Sequence, residues 1–346
     1  MLLAGDIGGT KTILGVFTPE NGPFSPLAEI TYDSQGYPSL EVMASDFLKR
    51  TGLHVREGSF GVAGPIVDGR TVPTNLPWSI EGASVATALN LSQVHLINDL
   101  EAVAHGIPQL EKEDFQILNE GSARPNKTLA VIAPGTGLGE AFLVWDGKGY
   151  IACPSEGGHG DFAPSNSLER DLLDFLTETR EHVSYETVCS GSGFLNIYDY
   201  LRIHEKMNVP DWLSRDLAQA PDPTAVIVDS ALNPGRECYI CRRTLDIFTS
   251  ILGGKAGNLA LTVLATGGVY LGGGIPPRIL PALQSGSFME AFKRKGRMSG
   301  IMRDIPVHVI LNPKAALIGA AFIGLERMGK ESGDRSQETD WLRFSH

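Results

Sequence analysis

The sequence predicts an α/β protein built from two related lobes. Its 346 residues correspond to about two domains at roughly 150 residues per domain. Short apolar strands alternate with helical segments, which is typical of α/β folds. A strand–glycine turn–strand segment also opens each half of the chain, with Gly9 and Gly137 in matching places. This repetition predicts duplicated β-sheet cores with a ligand cleft between the lobes.

The hydrophobic pattern of the first half predicts alternating strands and helices after an opening hairpin. The hairpin comprises strands at 2–5 and 12–17 around a glycine turn. The other expected elements are strands at 28–32, 59–63 and 94–97 and helices at 39–50, 85–89 and 100–105.

The second half repeats this opening with strands at 129–133 and 141–145 around a turn at 134–137. The other expected elements are helices at 168–179, 191–204, 239–265 and 315–328 and a strand at 307–311. Residues 329–346 are polar, and we expect them to be loosely ordered.

Composition excludes several classes of partner. The 29 Lys+Arg residues are outnumbered by 40 Asp+Glu, and the net charge of −11 offers no broad basic surface for nucleic acid or an anionic membrane, which leaves a local basic patch as the alternative. Four cysteines are too few for a disulfide scaffold and suit a reducing cytoplasm. The first residues lack a basic leader, so we expect no signal peptide and a cytoplasmic protein.

Glycine is over-represented, with 40 residues where about 24 are expected. Many lie in or beside turns that could approach a ligand closely, and we extend this interpretation to Gly253, Gly254 and Gly257. The uncharged stretch 256–277 has the nominal length of a membrane span, but its glycines favour a buried helix, a turn and a short strand.

The first glycine turn nearly matches a phosphate-binding P-loop. Thr10 stands where a P-loop needs glycine, and the segment after Lys11 favours a strand over the helix that a P-loop requires. A glycine turn between strands can still surround phosphate oxygens with N–H groups, and Asp6 could orient Mg²⁺ through water. The alternative is an ordinary hairpin with a solvated aspartate.

Asn98 and Asp99 follow the short strand at 94–97. Open α/β sheets bind ligands at the carboxyl ends of such strands, so Asp99 could take a proton from a substrate hydroxyl while Asn98 binds a neighbouring one. Local sequence alone favours a plainer alternative, in which Asp99 is the N-cap of the next helix.

Glu156 and His159 place a carboxylate and an imidazole three residues apart in a glycine-rich loop. The pair suits hydrogen bonds to vicinal sugar hydroxyls, and a solvated polar loop is the alternative. No cysteine pair or second histidine stands at zinc-ligand spacing near His159, and we interpret Cys238 and Cys241 as buried packing thiols.

A second glycine-rich segment, residues 267–274, flanks a three-residue apolar strand. Its glycines would let a nucleotide approach the backbone, with packing against a helix as the alternative.

Each of these motifs alone is only a moderate signal, but their order along the chain is specific. With this order, the chain resembles the bacterial glucokinase family of the actin/hexokinase superfamily. The resemblance rests on Gly5-Asp6-Ile7-Gly8-Gly9-Thr10, Ile97-Asn98-Asp99-Leu100-Glu101-Ala102, Pro134-Gly135-Thr136-Gly137-Leu138-Gly139, Ser155-Glu156-Gly157-Gly158-His159, Phe162-Ala163-Pro164, Tyr185-Glu186 with Ser190-Gly191, and residues 267–274.

The resemblance implies a two-lobed, ribonuclease H-like fold and ATP-dependent phosphorylation of D-glucose at its 6-hydroxyl. It implies Asp99 as general base and Asn98, Glu156, His159 and Glu186 as further glucose ligands; Glu186 rests on the resemblance alone. ATP and Mg²⁺ are the implied cofactors, with no direct protein ligand to the metal. The implied ATP-binding residues are Gly5, Asp6, Ile7, Gly8, Gly9, Thr10, Thr136, Gly137, Gly267 and Gly268.

We accordingly expect a small lobe of residues 1–109 plus 312–328, a large lobe of residues 110–311, and the tail 329–346. The resemblance further implies a homodimer. Lys11 departs from the family, in which many members carry asparagine at this place. A sugar-responsive repressor is disfavoured because the cysteine-rich zinc motif is missing after His159, and we expect no helix-turn-helix before residue 1.

The sequence leaves open two alternatives to a glucose kinase. One is a kinase for another hexose, such as mannose, fructose or an amino sugar, and the other is a non-catalytic sugar sensor or actin-like assembly protein. Only a kinase explains the Asn98-Asp99 and Glu156/His159 pairs together.

Overall fold

Two β-sheets with matching strand order organise the chain in the computed structural model, which describes residues 1–73, 76–122, 124–236 and 238–331. The strands are β1 (Leu2–Ile7), β2 (Lys11–Phe17), β3 (Ala28–Asp33), β4 (Glu57–Val62), β5 (Arg70–Thr71), β6 (Ile80–Glu81), β7 (Gln93–Asn98), β8 (Phe115–Asn119), β9 (Leu129–Pro134), β10 (Leu138–Trp145), β11 (Tyr150–Ser155), β12 (Gly268–Leu271) and β13 (Val307–Ile310).

The helices belong to two groups, α-helices and single turns of other types. The α-helices are α1 (Leu40–Thr51), α2 (Gly82–Leu89), α3 (Asp99–Gly106), α4 (Ser167–Thr177), α5 (Tyr185–Val188), α6 (Gly191–Asp199), α7 (Asp211–Gln219), α8 (Pro223–Leu232), α9 (Tyr239–Thr262), α10 (Ile275–Arg278), α11 (Leu280–Gln284), α12 (Ser287–Lys293), α13 (Ser299–Asp304) and α14 (Ala315–Glu331). Short 3₁₀ segments lie at Ser34–Gly36, Ile107–Gln109, Lys112–Asp114, Gly157–His159 and Gly296–Met298, and a π-helical segment lies at Tyr200–His204.

Residue contacts divide the chain into two units. The first comprises Met1–Leu110 and the described residues from Lys314 onward, and the second comprises Glu111–Pro313. The sheet of the first unit has the order β3-β2-β1-β4-β7, and that of the second has the order β11-β10-β9-β12-β13-β8. Each begins with two antiparallel pairs and continues with two parallel pairs, so the duplicated cores predicted from the paired glycine turns are confirmed.

The sheet of the first unit is covered on both faces. Successive β1 residues point to opposite sides, and Leu3 packs with Leu40 and Phe47 of α1, whereas Leu2 packs with Leu317 of α14. Local signals delimit α1, because Ser39 caps its first turn and Gly52, at φ 66°, ends it.

Helices α3 and α14 pack closely because each has a glycine where the two helices meet. A Cβ at Gly106 would overlap the carbonyl oxygen of Ala315, and a Cβ at Gly319 would overlap that of Ala102. The two backbones are therefore in contact, and α14 holds α3 in place against the sheet.

One large apolar core fills the second unit. It joins β9, β12 and β13 to helices α4, α6, α8, α9 and α12. Gly253 and Gly257 lie inside α9, where a Cβ would meet the carbonyl oxygens of Phe288 and Phe292 on α12. Assigning these two glycines to a ligand-facing turn was therefore wrong; they permit close packing of two helices.

The uncharged stretch 256–277 forms the end of α9, then β12 and the start of α10, as the sequence predicts. Among the described residues, no helix has both the length and the apolar character needed to cross a membrane. Cys238 and Cys241 are fully buried free thiols, in agreement with a packing role. Most of the polar tail from 329 to 346 lies outside the described residues.

Candidate active site

The first glycine turn connects β1 to β2 and is held by Ser34. The backbone N–H of Gly8 donates to Lys11 O at 3.1 Å, and Ser34 Oγ donates to Gly8 O at 2.7 Å. The N–H of Ser34 donates to Thr10 O at 3.0 Å. The turn therefore has a defined shape supported from the neighbouring segment.

The predicted phosphate-binding residues fall into two groups. Gly5 and Ile7 are buried within β1, and a Cβ at Gly5 would crowd the side chains of Leu14 and Phe60. Gly8, Gly9 and Thr10 form the turn itself and reach the surface. Of these five residues, the three in the turn are therefore the accessible ones.

Asp6 and Asp99 influence each other at the carboxyl edge of the first sheet. Parallel pairing aligns Ile7 of β1, Val62 of β4 and Asn98 of β7. Burial, with a smaller contribution from the carboxylate of Asp99, raises the pKa of Asp6 to about 7 against the opposing effect of the Lys11 ammonium.

Gly61 on β4 makes the approach of α3 to this sheet possible. Its missing side chain leaves room for Ala102, whose Cβ would lie 2.9 Å from a Cβ at Gly61, and for the Cα of Asp99 at 3.9 Å. Glycine between the two aspartates thus lets the first turn of α3 rest against the sheet.

Asn98, and not Asp99, is the N-cap of α3. Its Oδ1 accepts hydrogen bonds from the N–H groups of Leu100 at 2.8 Å and Glu101 at 3.3 Å, while its Nδ2 donates to Gly64 O at 3.1 Å. The alternative that made Asp99 the cap was therefore wrong. Asp99 is the first residue of the helix and accepts from the N–H of Leu100 at 3.0 Å.

This capping role limits what Asn98 can offer a ligand. A carboxamide has two N–H donors and one acceptor oxygen. The oxygen accepts both capping bonds and one N–H is used on Gly64, so one N–H remains for a substrate hydroxyl.

In the second unit, the structure brings three predicted sugar ligands together. His159 Nε2 lies 3.8 Å from Glu156 Oε2, and His159 Nδ1 lies 3.9 Å from Glu186 Oε1. Glu156 precedes a 3₁₀ turn and His159 is its last residue, and their side chains are 71% and 60% exposed. An exposed imidazole between two carboxylates can both accept and donate hydrogen bonds to neighbouring hydroxyl groups.

Glu186 is the residue that reasoning from the motifs alone missed. It lies on α5, whose start is marked by the capping pair Ser184 and Thr187. Its Oε2 accepts from the N–H of Leu138 at 2.9 Å. The capping pair could have revealed the helix, but no local signal reveals that distant partner.

Several glycine segments meet at the turn between β9 and β10, which includes Thr136 and Gly137. The N–H of Gly191 donates to Gly135 O at 2.8 Å, and the N–H of Gly272 donates to Ile132 O at 2.9 Å. Gly273, at φ 81°, packs so closely on Pro134 that a Cβ would lie 2.5 Å from the Pro134 oxygen. Glycines from three separate segments therefore lie close together at this edge.

Gly267 and Gly268 lie at the other end of β12. Gly268 pairs with Leu129 at the start of β9, and a Cβ at Gly267 would lie 2.6 Å from Lys127 O. The structure does not bring these two glycines to the turn at 135–137, and packing accounts for the missing side chain of Gly267. Gly272 and Gly273 occupy the edge where parallel strands of α/β sheets usually bind ligands.

The described residues contain no group of three or more His, Cys, Asp or Glu side chains arranged to hold a metal ion. Asp6 with Asp99 nearby nevertheless suits Mg²⁺, which binds through one or two carboxylates and keeps several waters.

The duplicated sheets are those of the actin-like hexokinase fold, and the Asp6 and Asp99 carboxylates at one sheet edge fit a sugar kinase of this class. The predicted sugar-ligand trio of Glu156, His159 and Glu186 fits the same class. A family model described as Glucokinase matches residues 3–327. The glucokinase of Trichormus variabilis is 39% identical over 336 residues, covering 93% of this chain and 98% of the relative. The chain therefore belongs to the glucokinase family.

Comparison with solved structures also finds glucokinases with the same fold. A glucokinase from an Antarctic psychrotroph superposes with a TM-score of 0.78 at 32% identity, covering 94% of this chain and 98% of the other. A ROK family glucokinase from Streptomyces griseus, in complex with glucose and AMPPNP, has a TM-score of 0.65 at 19% identity, covering 94% and 99%. The second match supports the fold alone.

Proposed function

We propose that Asp99 is the general base in the phosphorylation of glucose by ATP, the activity of the family to which the chain belongs. Asp99 would accept the proton of the sugar 6-hydroxyl as its oxygen forms a bond to the γ-phosphorus. The bond between the γ-phosphorus and the β,γ-bridging oxygen breaks, leaving glucose 6-phosphate and ADP. The observation that carries this proposal is the position of Asp99 beside Asp6 at the carboxyl edge of the sheet, with Asn98 as the helix cap.

We assign the glucose hydroxyls other than the 6-hydroxyl to Asn98, Glu156, His159 and Glu186. The trio in the second unit supports this assignment because its carboxylates accept and its imidazole can donate. The remaining N–H of Asn98 suits one hydroxyl oxygen.

Phosphate binding in this proposal depends on backbone N–H groups. The turn Gly8–Thr10, with Asp6 before it, would bind phosphate oxygens in the first unit. Thr136 and Gly137 with Gly272 and Gly273 would do so in the second unit, and we favour Gly272 and Gly273 over Gly267 and Gly268 for this role. Mg²⁺, bound with ATP, would neutralise phosphate charge, and Asp6 would hold it through water.

The remaining proposals concern organisation. We propose that the two contact-defined units correspond to the two lobes of the kinase, and that the protein is a cytoplasmic homodimer. The reduced cysteines fit the cytoplasm. Sedimentation equilibrium tests the homodimer, and cell fractionation tests the cytoplasmic location.

The decisive experiment measures ADP release from MgATP with a panel of hexoses. Glucose should support the highest kcat/KM; a preference for mannose, fructose or an amino sugar would favour the alternative substrate, and release independent of sugar would contradict a hexose kinase. Asp99→Asn should lower kcat by about 10²–10⁴-fold and leave the glucose Kd within about threefold. The exposed Asp171→Asn, as control, should behave like the wild type.

A further inference from the structure

Glu140 and Lys255 form a buried ion pair in the second unit. Glu140 lies on β10 and Lys255 in the middle of α9, and they are 3% and 9% exposed. Lys255 Nζ lies 2.8 Å from Glu140 Oε1. Buried charges are costly to keep, so a pair at this depth calls for an explanation beyond stability.

The ammonium of Lys255 contacts both segments that carry the sugar-ligand trio. It donates a hydrogen bond to Gly157 O at 3.0 Å, and Gly157 lies between Glu156 and His159. It also lies 4.7 Å from the ring centroid of Tyr185, the residue before Glu186. An ammonium has three donors, and here they face a carboxylate, a turn carbonyl and an aromatic ring.

The carboxylate of Glu140 restrains the same turn from a second direction. A Cβ at Gly157 would overlap Glu140 Oε2, so the turn backbone lies directly against this oxygen. The N–H of Tyr185 donates to Gly160 O at 3.0 Å, which joins the two segments to each other. Together the ion pair and this bond fix the relative positions of the two segments.

We propose that Glu140 and Lys255 are positioning residues for sugar recognition: they set the spacing of Glu156, His159 and Glu186 without touching the sugar. This inference rests on the proposed function of that trio. Small errors in ligand position weaken binding and catalysis strongly, so the pair should govern glucose affinity. ATP affinity should be insensitive to it, because the contacts of the pair lie in the sugar-ligand segments.

The test replaces the pair by two apolar side chains of similar length, Glu140→Met/Lys255→Met. Removing both charges avoids an uncompensated buried charge, and such replacements often preserve stability. We expect a folded protein with glucose KM raised at least about tenfold and ATP KM within about twofold. The matched control is Glu29→Met/Lys314→Met, which removes an ion pair of the first unit and should leave both KM values unchanged.

A second variant covers the case in which the double substitution does not fold. Gly157→Ala keeps both charges but forces the turn away from Glu140, and it should also raise glucose KM about tenfold or more. Gly149→Ala, whose added methyl meets no atom within 4 Å, is its control.

A folded double variant, or Gly157→Ala, with glucose KM within about twofold of the wild type would overturn the positioning role. Equal changes in the glucose and ATP KM values would do the same, since they indicate a general structural effect. If the wild type itself shows no glucose-dependent ADP release, the proposed function fails first, and this inference with it.

Discussion

The backbone N–H of Leu138 donates a 2.9 Å hydrogen bond to Glu186 Oε2. The other carboxylate oxygen, Oε1, lies 3.9 Å from His159 Nδ1. Gly137 is needed for this arrangement, because a Cβ there would lie 2.5 Å from Oε2. The start of β10 therefore fixes the orientation of this carboxylate.

Glu186→Gln should raise the glucose KM by about ten- to a hundredfold. Hydrogen bonds to charged groups contribute about 1.5–3 kcal/mol, and the amide keeps the shape of the side chain while losing its charge. Steady-state kinetics should show an ATP KM within about twofold of the wild type. Glu178→Gln, an exposed carboxylate in the same unit, is the control, and an unchanged glucose KM in Glu186→Gln would remove Glu186 from the sugar site.

Features encoded by neighbouring residues could be predicted from the sequence. The glycine turns between strands, the helix that follows Ser39 and the position of Asn98 and Asp99 after a buried strand all depend on local patterns. Even here the cap was assigned to the wrong residue, because Asn98 and Asp99 are both good caps and only the geometry decides between them.

Features that depend on distant contacts could not be predicted. Glu186 is oriented by Leu138, and Gly253 and Gly257 are glycines because α12 packs on α9. The strands β8 and β11 were also missed, since they lie at the two edges of the second sheet and most of their side chains are partly buried or exposed. The sequence pattern records that side chains are small or apolar, not which backbone they face.

Two adjacent glycines should respond differently to alanine. Gly273 has φ 81° and contacts Pro134, whereas Gly274 has φ −81° and space around it. Gly273→Ala should lower the free energy of unfolding by about 1–3 kcal/mol and raise the ATP KM, because the methyl displaces the turn at 134–137.

Gly274→Ala is the control for this prediction and should change neither quantity appreciably. Urea unfolding and ATP-dependent kinetics measure the two effects. Equal stability of the two variants would show that the contact between Gly273 and Pro134 can relax without cost.

Gly319→Ala should weaken the support of Asp99. The added methyl would overlap Ala102 O, so α3 must move away from α14. We expect a loss of about 1–3 kcal/mol in the free energy of unfolding, and a lower kcat since Asp99 begins α3. Gly329→Ala meets no atom within 4 Å and should be neutral or slightly stabilising; a wild-type kcat in Gly319→Ala would show that α3 is held by other contacts.

His105 should make the protein sensitive to acid. Burial lowers its pKa to about 4, and the guanidinium of Arg327 contributes to the shift. In the unfolded chain the pKa of this histidine is ordinary, near 6.5. Between pH 6.5 and 4 the unfolded chain therefore binds more protons than the native state, so stability present above about pH 6.5 is lost as the pH falls toward 4.

Between pH 7.5 and 4.5 the wild type should lose on the order of 2–3 kcal/mol more free energy of unfolding than His105→Gln. Urea unfolding across this range measures the difference, and the exposed His54→Gln should follow the wild type throughout. If the curves for the wild type and His105→Gln stay parallel, His105 is not held neutral by its surroundings.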